Sequence, residues 1–125
     1  MKQFIYSFEK LEVWKHSKNL TKTIYSMTQS FPKTEINGLT NQMRRASISI
    51  SSNLAEGCGR KIGKDQARFY QIALSSSFEL LNQTIIALEI NYINEEEYQQ
   101  CRKLIEIISF QINSLHKYTL KSEMS

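Results

Sequence analysis

The sequence predicts an all-α protein folded as an antiparallel, up-down-up-down four-helix bundle. The chain of 125 residues contains only four glycines and one proline, whereas all-β folds need a turn marked by such residues about every eight to twelve positions. Apolar residues recur instead at steps of three and four, which is the spacing of one buried helical face. Hydrophobic residues make up 41% of the chain. That fraction supplies one core, and we expect a single domain over residues 1–125.

The first helix is expected at about residues 11–30. Its apolar stripe contains a tryptophan that fits a core anchor better than a platform for a ligand. The members of this stripe are Val13, Trp14, Ser17, Leu20, Thr21, Ile24, Thr28 and Phe31. Pro32 then ends the helix, because a proline disfavours helical geometry in the residue before it.

The second helix is expected at about residues 35–59. Its middle, "RRASISIS", alternates serine and isoleucine as a β-strand does, but the segments on both sides have helical spacing. The strand interpretation is therefore rejected. The apolar stripe that continues through this segment consists of Ile36, Leu39, Met43, Ala46, Ile50, Leu54 and Cys58.

The third and fourth helices are expected at about residues 64–92 and 95–119. The third carries Ser76 among three consecutive serines, and small side chains there would let it approach the serine-rich second helix closely. Asn94 and Glu97 have the spacing of a capping box at the start of the fourth helix. That helix then carries a coiled-coil-like seam, which consists of Tyr98, Cys101, Ile105, Ile108, Ile112 and Leu115.

The sequence offers no constellation for catalysis, a metal or a cofactor. His16 and His116 are far apart, and no Glu-x-x-His pair is present for a di-iron site. No nucleophile stands beside a base in a recognisable motif. We therefore expect a protein that is not an enzyme and that has no metal and no cofactor.

The expected location is the cytoplasm. No run of about 18 apolar residues is available to span a membrane, and no secretory signal is recognisable at the N-terminus. Cys58 and Cys101 lack CxxC partners, which favours two buried thiols in a reducing compartment.

The segment "CGRKIGK" resembles a phosphate-binding loop but does not qualify as one. The Walker A pattern G-x-x-x-x-G-K-[ST] would need a glycine at Cys58 and a hydroxyl at Asp65. The preceding segment is also helical, whereas that motif follows a strand. The glycines therefore indicate the end of one helix and a turn to the next.

Charge is distributed unevenly along the chain, which carries a net charge of +4. Residues 1–64 carry eleven Lys and Arg against four Asp and Glu, and residues 65–125 carry five against eight. A basic half suits a polyanionic partner, although helical surfaces also carry such charge for solubility. The candidate nucleic-acid-binding residues are Arg44, Arg45, Arg60, Lys61, Lys64 and Arg68.

Two groups can be distinguished among these cations. Arg60, Lys61, Lys64 and Arg68 surround the predicted turn, and phosphate contact is favoured for them because guanidinium forks match phosphates. Arg44 and Arg45 are adjacent on a helix and point about 100° apart. For that pair the favoured interpretation is a network that joins helices or subunits.

The stretches "QMRRASISISSNLAEGCGR" and "ARFYQIALSSSFELLNQTI" closely resemble the core motif of the 23S rRNA-intervening-sequence proteins. The resemblance extends to "FEKLEVWKHSKNLTKTIY" and covers nearly the whole chain. It implies a left-handed bundle that assembles as a ring-shaped homopentamer, in a bacterial family whose own function is not established. The positions that match the family motif are Trp14, Arg44, Arg45, Asn53, Glu56, Gly57, Arg60, Phe69, Ala73, Ser76 and Glu79.

The function expected from the sequence is nucleic-acid binding by a non-enzymatic oligomer through its basic surface. RNA is favoured over DNA, on the family association alone. The alternative is a structural or adaptor protein whose basic surface docks an acidic protein partner, with no nucleic acid involved.

Overall fold

The computed structural model describes residues 2–124, and every regular element among them is helical. The predicted domain of residues 1–125 includes residues 1 and 125, which lie outside the described part. The four long helices are α1 (Glu12–Thr28), α2 (Leu39–Cys58), α3 (Lys64–Glu89) and α4 (Glu95–Met124). Short 3₁₀ turns occupy Ser7–Lys10 and Lys33–Glu35. The all-α four-helix fold predicted from the sequence is confirmed.

The helices are arranged as an up-and-down bundle. Each helix packs against its neighbours in the chain, and α1 and α4 close the ring, so that α1 lies diagonal to α3. His16 on α1 is joined to Gln111 on α4, with 2.9 Å between Nδ1 and Oε1. This contact places the first half of α1 beside the second half of α4, as antiparallel neighbours require.

The bundle has two ends that differ in character. The turn end holds residues 59–63, and Gln66 at the start of α3 meets Thr119 near the end of α4 there. The far end holds the two longer connections. They meet where Phe31 and Tyr92 pack with ring centroids 5.1 Å apart.

The core follows the predicted stripes along most of each helix. Burial stabilises such a bundle in proportion to the apolar area removed from water. The largest fully buried apolar side chains are Leu20, Ile24, Met43, Ile50, Leu54, Leu80, Ile105, Ile108 and Ile112. Helical spacing also places Ile36, Ile72 and Ile107 on buried faces, but their side chains are 57%, 38% and 46% exposed.

The second helix begins at Leu39 and not at about residue 35 as the sequence indicated. The residues before it form a 3₁₀ turn, and Gly38 has non-helical dihedral angles. The Glu35 carboxylate accepts a hydrogen bond from the Leu39 N–H at 3.1 Å, and so satisfies one of the unpaired donors at the helix start. Glu35 therefore caps the helix instead of forming its first turn.

The connection from α3 to α4 is defined by two local motifs. The α3 helix ends at Glu89, earlier than the predicted residue 92, because Asn91 adopts a left-handed conformation with φ 63°. The Tyr92 N–H then donates to the Ala87 carbonyl, which is the pattern of a Schellman motif. The predicted capping box is confirmed, with the Glu97 N–H donating to Asn94 Oδ1 at 2.8 Å and the Asn94 N–H to Glu97 Oε1 at 3.0 Å.

The α4 helix continues to Met124, beyond the predicted end at residue 119. Thr119 is buried, and its hydroxyl donates to Gln66 Oε1 at 3.2 Å. A polar residue beyond the predicted apolar seam is therefore still inside the bundle. No helix within residues 2–124 combines the length and the apolar character that crossing a membrane requires.

Helices α2 and α3 approach each other closely at Gly57. A Cβ at this position would lie 2.7 Å from Cε1 of Tyr70 and 3.0 Å from Cβ of Phe69, closer than such atoms approach. Gly57 is buried, and the absence of a side chain lets the two aromatic residues pack against the α2 backbone. The position of Phe69 thus depends on this contact.

Substitution Gly57→Ala is expected to destabilise the protein, although alanine is the better helix former. The added methyl group overpacks the contact with Tyr70, which typically costs about 1–3 kcal/mol, whereas the gain in helix propensity is at most about 1 kcal/mol. Urea unfolding followed by circular dichroism measures the difference.

Gly59→Ala is the matched control for that substitution. A Cβ at Gly59 would lie 3.6 Å from the Glu56 carbonyl oxygen, an ordinary van der Waals distance. We expect this variant to unfold at the same urea concentration as the wild type or a higher one. Equal destabilisation by both substitutions would contradict the close-approach account.

Glu35 is expected to make stability depend on pH. The hydrogen bonds from the Leu39 N–H and the Tyr92 hydroxyl lower the pKa of this carboxyl below its ordinary value. The contribution of Glu35 to the free energy of unfolding is therefore complete above the pKa that its carboxyl has in the unfolded chain. This contribution is lost as the pH falls through the lower pKa that the carboxyl has in the folded protein. Glu35→Gln should lower the free energy of unfolding at neutral pH, and this difference should shrink as the pH falls through the pKa of Glu35 in the folded protein. The same difference between the two proteins at neutral and at acid pH would contradict this role.

Candidate nucleic-acid interface

The turn between α2 and α3 is held by a glutamine of α3. Gln66 donates from Nε2 to the Gly57 carbonyl at 3.0 Å and to the Arg60 carbonyl at 3.4 Å. Its Oε1 accepts from Thr119, so the same side chain joins the turn to α4. Gly63 precedes α3 with φ 117°, a conformation that favours glycine. The turn residues are therefore fixed relative to three helices.

Phe69 brings two of the predicted arginines together at this turn. The Arg60 guanidinium lies over the Phe69 ring at 4.7 Å from its centroid, and the Arg68 guanidinium lies over the same ring at 4.5 Å. Cation–π contacts of this kind contribute about 0.5–1 kcal/mol at exposed sites. One aromatic ring thus holds two exposed like charges near each other, an arrangement that an anion would stabilise.

Three carboxylates lie near the same turn. Glu56 Oε1 is 3.9 Å from Arg60 Nη2, and Asp65 Oδ1 is 3.4 Å from Arg68 Nη2. Glu123 of α4 lies against Gly63, where a Cβ would meet its Cδ at 2.6 Å. Both ion pairs are solvent-exposed, and such pairs are typically worth at most about 1 kcal/mol. A polyanion can therefore compete for these arginines at little cost.

Lys61 and Lys64 complete the four cations predicted at this turn, and both are exposed. Within residues 2–124, no carboxylate lies within ion-pair distance of either amine. We call Arg60, Lys61, Lys64 and Arg68, which the structure brings to one end of the bundle, the turn cluster.

Arg44 is separated from the turn cluster and joins α2 to α1 at the far end. Its Nε donates to Thr28 Oγ1 at 2.9 Å, and its Nη2 to the Tyr25 carbonyl at 3.4 Å. The guanidinium also lies 4.6 Å from the centroid of the Tyr25 ring. These contacts occupy a carbonyl in the last turn of α1, where a cation is favourable. Arg45 is exposed on the neighbouring face of α2.

The other family-motif residues lie along the contact between α2 and α3 or next to it. Ser76 is 2.8 Å from Ser49, hydroxyl to hydroxyl, and Asn53 donates to the Ser49 carbonyl at 2.8 Å. The serine-to-serine contact lets α3 approach α2, and Ala73 is buried there. Glu79 is exposed beside a groove of about 220 Å³.

Trp14 is only partly buried against the core and carries further aromatic contacts. The Phe8 ring meets it edge-on at 5.1 Å between centroids, and Lys18 Nζ lies 5.3 Å from its centroid. Sequence reasoning did not identify Phe8 or the aromatic residues before it. The sequence carried one signal that could have identified them, namely an aromatic residue at every second position from Phe4 to Phe8, outside any helical stripe.

The buried titratable groups of the bundle have a packing role. Burial raises the pKa of the Tyr70 phenol to about 12, and the neighbouring Cys58 thiol adds to this effect. Burial likewise raises the pKa of the Cys101 thiol to about 11, where it contacts Met27 with 3.6 Å between the sulfur atoms. The expectation that both cysteines are buried holds for Cys101, whereas Cys58, the last residue of α2, is only partly buried.

Comparison with known proteins gives the family of the chain. Residues 9–114 match the profile of the family described as 23S rRNA-intervening sequence protein. A search of curated proteins finds no match.

A solved structure of similar fold comes from Bacteroides thetaiotaomicron and is described as a protein with unknown function from the S23 ribosomal protein family. The two share 19% sequence identity over 84% of this chain and 95% of the other, with a TM-score of 0.76. At that identity the likeness shows the fold alone, whereas the profile match spans most of the sequence. The chain therefore belongs to the 23S rRNA-intervening sequence protein family.

Proposed function

We propose that this protein binds nucleic acid through the turn cluster, without catalysing a reaction. The observation that carries the proposal is the pair of guanidinium groups over Phe69, at 4.7 and 4.5 Å. Guanidinium forks match the geometry of phosphate oxygens, and a second cation nearby strengthens the attraction to a polyanion. Lys61 and Lys64 extend the same surface with exposed amines.

RNA is the proposed partner in preference to DNA. The support is the name of the family, which refers to an intervening sequence of 23S rRNA. The turn cluster itself offers phosphate contacts, which fix a protein on nucleic acid but carry no base information. Binding through this cluster is therefore expected to depend little on base sequence.

The protein is further proposed to work as a homopentamer in the bacterial cytoplasm. Support for assembly comes from the outer face of α3 and α4, where Phe78 is 56% and Phe110 is 75% exposed. They flank a groove of about 590 Å³ that Leu74 also lines. Exposed aromatic side chains around one groove are typical of a contact surface. A ring would repeat the turn cluster and so bind a polymer through several copies.

RNA affinity should fall steeply as salt is added, and the triple variant Arg60→Gln/Lys61→Gln/Lys64→Gln should bind more weakly. Each cation that no longer meets a phosphate should reduce the slope of log affinity against log salt by about 0.7 for a single strand. Fluorescence anisotropy of a labelled oligouridine over a series of salt concentrations measures both quantities.

The matched control removes three lysines from the half of the bundle nearer the far end, in the variant Lys22→Gln/Lys33→Gln/Lys103→Gln. It changes the net charge by the same amount and should leave most of the affinity and slope intact. An equal loss of RNA affinity in both variants would mean that binding depends on net charge and not on the turn cluster. No binding of the wild type at low salt would contradict the proposal and favour an acidic protein as the partner of this surface.

A further inference from the structure

The N-terminal segment presents a row of aromatic rings to solvent. The side chains of Phe4 and Tyr6 are 75% and 60% exposed. Their ring centroids are 5.0 Å apart, and Tyr6 lies nearly parallel to Phe8 at 6.3 Å with 20° between the planes. Phe8 in turn contacts Trp14 at 5.1 Å. We call Phe4, Tyr6, Phe8 and Trp14 the aromatic row.

The row is held in place by contacts with the bundle. The 3₁₀ turn Ser7–Lys10 packs against both α1 and α2. The Tyr6 N–H donates to Glu9 Oε2 at 2.8 Å, and the Glu9 N–H donates to the Tyr6 carbonyl at 3.0 Å. A partly buried Trp14 anchors the inner end of the row. The outer rings are therefore exposed on an ordered segment.

The aromatic row lies at the same end of the bundle as the turn cluster. Phe4, Tyr6 and Phe8 precede α1, and Trp14 lies in its first turn. The contact of His16 with Gln111 places the start of α1 beside the second half of α4. The end of α4 in turn meets the start of α3 through Thr119 and Gln66. The start of α1, the end of α4 and the α2–α3 turn thus share one end.

Basic side chains accompany the aromatic row. Residues 2–18 contain four lysines and two glutamates. Both glutamates have local partners. Glu9 accepts a hydrogen bond from the Tyr6 N–H, and Glu12 Oε1 lies 3.8 Å from His16 Nε2. Lys18 lies over the Trp14 ring at 5.3 Å from its centroid. Exposed rings among cations combine the two features by which proteins bind single strands.

We infer that the aromatic row stacks unpaired bases and that the turn cluster holds the phosphates of the same strand. The partner is therefore single-stranded RNA, bound with little preference among bases, because every base has a face that can stack. In a duplex the bases are already stacked on each other and are not available to Phe4 and Tyr6. This inference rests on the proposed function and adds the state of the nucleic acid.

The test compares the variants Phe4→Leu/Tyr6→Leu and Phe4→Tyr/Tyr6→Phe with the wild type, on labelled oligouridine and on a duplex RNA of equal length. Leucine keeps an apolar side chain but removes the ring, so the first variant should bind oligouridine about ten-fold more weakly, as expected for the loss of stacking. The second variant keeps both rings and should bind as the wild type does. Duplex RNA should bind more weakly than oligouridine to the wild type and should be insensitive to the leucine variant.

The outcomes separate this inference from the proposed function. If the wild type binds oligouridine and the turn-cluster variant weakens that binding but the leucine variant does not, the aromatic row has no role and the inference fails alone. Equal loss of duplex and single-strand affinity in the leucine variant would also overturn it. If light scattering shows that the leucine variant changes the mass of the assembly, the row is a contact between copies, and the inference is wrong. Since Phe4 and Tyr6 are exposed, circular dichroism should show unchanged folding.

Discussion

The structure of the turn end of the bundle depends on the close approach of α2 and α3 at Gly57. Tyr70 and Phe69 occupy the space that a side chain at this position would need, and they pack directly against the α2 backbone. The contact between Ser49 and Ser76 continues the same narrow spacing along the two helices. Small residues here serve packing, because helices that approach this closely have no room for larger side chains.

This constraint determines where the arginines of the turn can lie. Phe69 is fixed on one side by the α2 backbone, and its ring is left accessible to Arg60 from the turn and to Arg68 from the preceding position of the chain. Gln66 holds the turn itself through the Gly57 carbonyl. The cations are therefore positioned by packing and hydrogen bonds, whereas their exposed ion pairs with Glu56 and Asp65 are weak and readily exchanged. Arg44, in contrast, uses its donors to join α1 and α2, which leaves it a structural role.

The sequence predicted the helices well because their apolar residues repeat at helical spacing and their ends carry local signals, as with Asn94 and Glu97. It placed the start of α2 too early, because an acidic residue is favourable both in the first turn of a helix and at the cap before it. Only the three-dimensional contacts of Glu35 distinguish these two positions. It separated Arg44 from the turn cations and favoured a role in joining helices, and Arg44 does join α2 to α1. It did not identify Thr28 and Tyr25 as the partners, since position in a basic stretch carries no information on which groups a guanidinium meets. The aromatic row was missed because Phe4 and Tyr6 belong to no buried stripe.

Mapping ultraviolet crosslinks between the purified protein and oligouridine would test the central claim most directly, namely that nucleic acid binds at the turn end. At low salt, with the crosslinked peptides located by mass spectrometry, the account predicts attachment within residues 57–69 and within the N-terminal segment of residues 2–10. Crosslinks that instead concentrate in the connections of the far end, residues 29–38 and 90–94, would contradict it.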